Sequence, residues 1–242
     1  MYDINILEKL FLNNNHTLKY DTEKYLTDYY QLKEMNPFKS AEYAQANIIN
    51  FIEYANQCIK SAKQDCISFI FNRVTKDIVE INIDYFRVKN IHEKLLALEW
   101  RDFEFLSSTI LEHCFGAFDV RTSQPTSDGG VDFLGKIPIL SSETKEKYGV
   151  IEVYGQSKKY NGNVGINDIK SFVAFADGKK RNFVHKPQLF IFFTTSDFSN
   201  GANEELSVNG FIGLSGFQLA TLIFKHKKIL QNKTEIIRKI LS

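Results

Sequence analysis

The chain predicts a mixed α/β domain, one sheet with helices on both faces, preceded by a mainly helical region. Three observations predict it. Up to about residue 98 the apolar residues recur three and four apart, the period of a helix. From residue 99 helical stripes alternate with short strands and turn residues. The segment "PQLFIFFTTS" is apolar at nearly every position, as a strand covered on both faces would be.

In the first region, Asp21 or Thr22 is placed to cap a helix bearing Tyr25, Leu26, Tyr29 and Leu32. Ser40 is the expected N-cap of the next, in which Ala44, Ile48, Phe51, Ile52, Ala55 and Ile59 form a stripe. Ile67, Ile70, Phe71, Val74, Ile78, Ile81 and Tyr85 fit a third stripe. The alternation of Ile81, Ile83 and Tyr85 also suits a strand, but helix is the reading taken. The change of pattern sets the expected domains at 1–98 and 99–242.

The second region reads element by element. "LEWRDFEFLSSTILEHCFG" is a helix ending at Gly116, with Trp100, Phe103, Leu106, Ile110, Leu111 and Cys114 on its buried arc. "AFDVRTS" is a short strand and "QPTSDGG" a turn. "VDFLG" begins a strand, "KIPILSSETKEK" is a polar hairpin excursion, and "YGVIEVYGQSKKY" is the returning strand. "GINDIKSFVAFADG" is an amphipathic helix with Ile166, Ile169, Phe172 and Val173 on one side. The apolar strand, the helix "GANEELSVNG", the strand "FIGLS" and the helix "GFQLATLIFKH" follow. The expected order is αβββαβαβα.

Composition narrows the setting. No apolar run approaches the ~20 residues that span a bilayer, and the first residues lack a signal-peptide pattern. The expectation is a cytoplasmic protein with no membrane partner. Cys58, Cys66 and Cys114 form no CxxC pair and give no zinc signature. The net charge of +1 does not by itself point to nucleic acid. Basic residues nevertheless cluster late in the chain. Lys158, Lys159, Lys170, Lys179, Lys180, Arg181 and Lys186 form one group, and Lys225, Lys227, Lys228, Lys233, Arg238 and Lys239 another. Lys159, Lys179, Lys180 and Arg181 are the candidates for phosphate contact.

The chemistry sits in a few side chains. Residues two apart on a strand share a face about 7 Å apart, so Gln156 and Lys158 point the same way. Ser157, Gly155 and Val153 point the other way. Taken alone, the segment reads as an edge strand with one wet face. Asp132 opens the preceding strand and comes opposite the Gln156–Lys158 end if the two strands pair. Asp128 belongs to the turn and is read as structural. Glu104 lies at the edge of its helix's buried arc. Carboxylate and amide oxygens in such a group suit Mg²⁺, with Mn²⁺ as a substitute. An adjacent Lys orients a water and stabilises charge developing on a phosphate. That chemistry is metal-assisted phosphodiester hydrolysis.

These residues carry a resemblance. "WRDFEFLSSTIL", "SDGGVDFLG", "GQSKKYNGNVG", "FIFFTTSDFSNGANEEL" and "GLSGFQLATLI" resemble, in order, the Mrr-like restriction endonucleases of the PD-(D/E)xK nuclease superfamily. The likeness runs from about residue 98 to 225. It implies a restriction-endonuclease-like αβββαβ core. It also implies a catalytic set of Glu104, Asp132, Gln156 and Lys158, with Gln156 and Lys158 as the Gln-x-Lys variant of the last motif. Asp132, Gln156 and Glu104 would hold the metal, and double-stranded DNA would be the substrate. Residues 136–147 are longer than the usual hairpin connection, and residues 1–98 show no winged-helix pattern.

The expected function is therefore a Mg²⁺-dependent DNA endonuclease of restriction or antiviral defence. One alternative is a nuclease effector switched by a defence-system partner or signal through residues 1–98. The other is a catalytically inactive nucleic-acid-binding module, against which the intact Glu104, Asp132 and Lys158 argue. A homodimer is expected, with Tyr25, Tyr29, Tyr30 and Tyr54 supplying its surface.

Overall fold

The computed structural model describes residues 2–14, 16–123, 130–182 and 186–242, the side chains of Arg181 and Asn182 excepted. Two compact units divide the chain, Met1–Val88 and Lys89–Ser242.

The first unit holds α1 (Ile4–Asn13), β1 (Lys19–Asp21), α2 (Thr22–Leu32), α3 (Pro37–Gln64), β2 (Phe71–Val74) and β3 (Ile78–Ile81). Asp21 caps α2 by accepting from the Lys24 amide at 2.8 Å. Asn36, not Ser40, caps α3, accepting from Lys39 N at 2.9 Å, with Pro37 preset as the first helical residue. Ser40 lies inside the first turn and donates back to the Asn36 carbonyl.

The third helical stripe is overturned. Residues 71–81 form a hairpin, closed where Thr75 N donates to the Ile78 carbonyl and Ile78 N to the Thr75 hydroxyl. β1 adds to β3, giving the antiparallel order β1-β3-β2. Local spacing allowed either reading. The partner strand from 60 residues earlier decides it, because ladder pairing satisfies the backbone of β3. Helix resumes after Asn82, whose side chain accepts from Asp84 N, and α4 runs Ile83–Leu96. The divide between the units falls within α4.

Tyr25 and Tyr29 are core residues, 0% and 1% exposed. Tyr25 donates its hydroxyl to the Leu7 carbonyl and packs among Tyr20, Phe51 and Phe71. They supply no aromatic surface for a dimer, because the unit's own sheet and helices enclose them.

The second unit continues with α5 (Trp100–Cys114), β4 (Phe118–Thr122), β5 (Phe133–Leu140), β6 (Lys147–Lys158), α6 (Ile166–Asn182), β7 (Gln188–Thr194), α7 (Asn200–Val208), β8 (Ile212–Leu214) and α8 (Gly216–Lys225). This is the expected αβββαβαβα order. Two short helices, α9 (Lys227–Leu230) and α10 (Glu235–Leu241), follow it. The sheet runs β4-β5-β6-β7-β8, antiparallel up to β6 and parallel beyond.

β6 is thus the central strand and not an edge. Its buried neighbour β7 puts Phe190, Ile191, Phe192 and Phe193 in the core, as a strand covered on both faces requires. Residues 136–140 extend β5 instead of leaving the sheet. They pair with β6 as far as Leu140↔Lys147, so the added length lengthens the hairpin away from the motif end. On one face α6 packs Ile169 and Phe172 against Phe190 and Phe192. On the other, Phe133 stacks on Phe193 at 5.2 Å. Trp100 is 46% exposed and leaves the expected arc, its ring lying beneath the Arg101 guanidinium.

Candidate active site

β5 and β6 part company at one end. The Asp132 amide donates to the Gly155 carbonyl at 2.9 Å, and β6 then runs on to Lys158. Beyond that point a side chain replaces the ladder. Asp132 Oδ2 accepts from the Ser157 amide at 2.7 Å and from the Ser157 hydroxyl at 3.2 Å. Sequence reasoning assigned Ser157 to the opposite face and missed this. The strand's two-residue alternation says nothing of the peptide N–H, which makes the shorter of the two bonds to Asp132, and the Ser157 hydroxyl follows it to the same oxygen.

Gln156 is 6% exposed, and its Oε1 is buried without a hydrogen-bond partner among the described residues. An unpaired buried carbonyl costs about 1–3 kcal/mol. Its amide nitrogen lies against Gly130, where a Cβ would come within 3.1 Å and where φ is +101°. The backbone conformation and this close approach both favour glycine at position 130. Asp128, read as structural, lies outside the described residues.

Electrostatics ties the remaining groups together. Burial pushes the Asp132 carboxyl above its ordinary value, while the Ser157 bonds and the Lys158 ammonium pull against it. Burial also raises Glu104, and repulsion from Asp132 adds to the rise. Arg101 and Lys158 oppose it. Glu104 on α5, Asp132 before β5 and Lys158 at the end of β6 therefore act on one another across a shared space. Gln156 stands one ladder step beyond the Phe133↔Gly155 pair, opposite Asp132. The four residues named from the sequence converge at the open end of the sheet.

The residues considered for phosphate contact spread more widely. Lys159 directly follows β6. Lys179 and Lys180 lie on α6 with their ammonium groups over aromatic rings, Lys179 at 5.5 Å from Tyr154 and Lys180 at 5.2 Å from Phe211. Arg181 is in α6, and its side chain lies outside the described residues. Lys179 also borders a cleft of about 340 Å³ that includes Arg121, Leu134, Lys136, Glu152 and Tyr154. Leu134 and Tyr154 are two residues back from Asp132 and Gln156 on the same strand faces.

Among the described residues no three His, Cys, Asp or Glu side chains gather as a metal cage. Asp132, Glu104 and the unpaired Gln156 oxygen are instead a sparse oxygen set. Such a set suits a hard divalent cation that keeps most of its waters. No helix among the described residues is long and apolar enough to cross a membrane.

The five-stranded mixed sheet flanked by helices, with a helical region before it, is a fold of the restriction-endonuclease kind. The model of the restriction endonuclease family Mrr_cat matches residues 95–223, more than half of the chain. The chain belongs to that family. Two solved structures are similar to it. One is the MspJI restriction endonuclease in complex with a 27-mer oligonucleotide, 20% identical with a TM-score of 0.44 over 65% of this chain and 34% of that one. The other is the DNA modification-dependent restriction endonuclease AspBHI, 15% identical with a TM-score of 0.41 over 65% of this chain and 38% of that one. The chain spans little more than a third of the length of either. No curated protein matches it.

Proposed function

We propose that the chain is an endonuclease that hydrolyses phosphodiester bonds in double-stranded DNA with Mg²⁺, Mn²⁺ substituting, in restriction of foreign DNA. The observation that carries this reading is the buried Gln156 Oε1, unpaired among the described residues and opposite the Asp132 carboxylate. A buried acceptor with no partner calls for a ligand. With Oδ2 engaged by Ser157, Asp132 has Oδ1 to offer the same ligand. A divalent cation held there would neutralise phosphate charge and lower the pKa of a bound water.

The chain's own residues do the rest. Asp132 and Gln156 bind the cation, and Glu104 holds it or one of its waters. Lys158, at the mouth of the site, orients the attacking water and stabilises negative charge building on the phosphate. Lys159, Lys179, Lys180 and Arg181 hold the DNA backbone. Residues 1–98 select the target or the partner, and the enzyme acts as a homodimer on the duplex.

Plasmid incubated with the protein should be cut with Mg²⁺ and left intact with EDTA. Cutting that persists in EDTA would contradict the mechanism. Calorimetric Mg²⁺ titration tests the carrying observation. Gln156→Glu adds a charge and should tighten binding by about tenfold, about 1.4 kcal/mol. Weaker binding by the Glu variant would remove Gln156 from the ligand set.

A further inference from the structure

The end of β6 that carries Lys158 is paired on one side only. β5 begins only at Phe133, and the parallel ladder with β7 ends at Lys158↔Thr194. The next residue on the β7 side, Thr195, takes over. Its amide donates to the Lys158 carbonyl at 3.3 Å. Its hydroxyl accepts from the Tyr160 amide at 3.2 Å and donates to the Tyr160 carbonyl at 3.1 Å. One hydroxyl thus serves both peptide groups of Tyr160, as a backbone neighbour would in a ladder. The clasp spans Lys158 to Tyr160.

Thr195 is itself immobilised. It is fully buried. Its carbonyl oxygen lies 2.9 Å from His92 Nε2, and because a carbonyl only accepts, that nitrogen carries the proton. Gly216 presses on the same carbonyl, since a Cβ there would come within 2.0 Å of it. Gly216 N also donates to the neighbouring Ser196 carbonyl at 2.8 Å. His92 and the start of α8 therefore brace Thr195, and Thr195 braces the end of β6.

We propose that Thr195 is a positioning residue, whose hydroxyl clasps Tyr160 and so fixes the backbone from which Lys158 reaches the scissile phosphate. The inference rests on the nuclease reading for the role of Lys158. Lysine has a long flexible stem, so its aim depends on where its Cα is held. Misplacing a reacting group by about 1 Å costs on the order of 10² in rate.

The test compares wild type, Thr195→Val and Thr195→Ser in single-turnover plasmid cleavage at varied protein concentration, alongside hydrogen exchange of the Tyr160 amide. Val keeps the shape and loses the hydroxyl. It should lower the maximal rate by about 10–100-fold and leave half-saturation within about twofold. The Tyr160 amide should exchange faster in the Val variant. Ser should restore both readouts. If the Val variant does not fold, Thr195→Ala takes its place. A Val variant that cuts at the wild-type maximal rate overturns the inference alone, as does a loss confined to half-saturation or an unchanged Tyr160 amide. Wild type that cuts nothing in Mg²⁺ overturns the nuclease reading and this role together.

Discussion

Lys158, at the end of β6, and Asp132, just before β5, have opposite relations to stability. Lys158 is partly exposed at a strand end, and its removal opens no apolar core. Lys158→Ala should lose cleavage by about 10²–10³-fold, with the circular dichroism spectrum unchanged. Cleavage at the wild-type rate would end its proposed role. Asp132 is held against its own preference, because burial raises its carboxyl above the ordinary 3.8. A raised acid binds more protons folded than unfolded, so stability falls as pH climbs from about 3.8 through the folded pKa. Above that window the whole cost is present. Metal-free Asp132→Asn should therefore melt higher than wild type at pH 7, and the gain should vanish below the window. A metal-free Asn variant that melts lower at pH 7 would show that charge burial is not what strains this site.

Gly155 lets β6 pass beneath an aromatic ring. A Cβ there would sit 2.0 Å from Phe133 Cε2, and Phe133 is fully buried and stacked on Phe193. Neither ring has space to retreat within close-packed layers. Gly155→Ala should destabilise the fold by about 1–3 kcal/mol, read as a lower urea midpoint. A midpoint equal to that of wild type would mean the stack slides freely. Ser157 is the next residue but one, so the variant should also disturb the bonds to Asp132 and slow cleavage more than the stability loss alone explains.

Two antiparallel strands present equivalent phosphodiesters to a twofold assembly, which is the argument for a homodimer on DNA. Of the aromatic residues considered for its surface, Tyr25 and Tyr29 do not serve, since both are enclosed in the first unit. The symmetry argument stands without them. Sedimentation should give twice the monomer mass with duplex present, and plasmid should be linearised. A monomer with and without duplex that leaves only nicks would defeat the dimer and leave the nuclease reading intact.

The order αβββαβαβα was legible because periods of two and 3.6, turn glycines and one all-apolar strand are local signals. That Glu104, Asp132, Gln156 and Lys158 would lie near one another was legible as well, since strand alternation and helical spacing say which residues share a face. Residues 71–81 were not, because a short β-branched run fits a helix or a hairpin until β1 pairs with it. The central place of β6 was likewise hidden, since a polar residue near a strand end looks the same at an edge and beside an active site. Ser157 and Thr195 left no signal of their own. Their part depends on an amide meeting a carboxylate 25 residues away and a hydroxyl meeting a peptide 35 residues away. Local spacing sets which way a side chain points, but only the packed sheet decides what it meets.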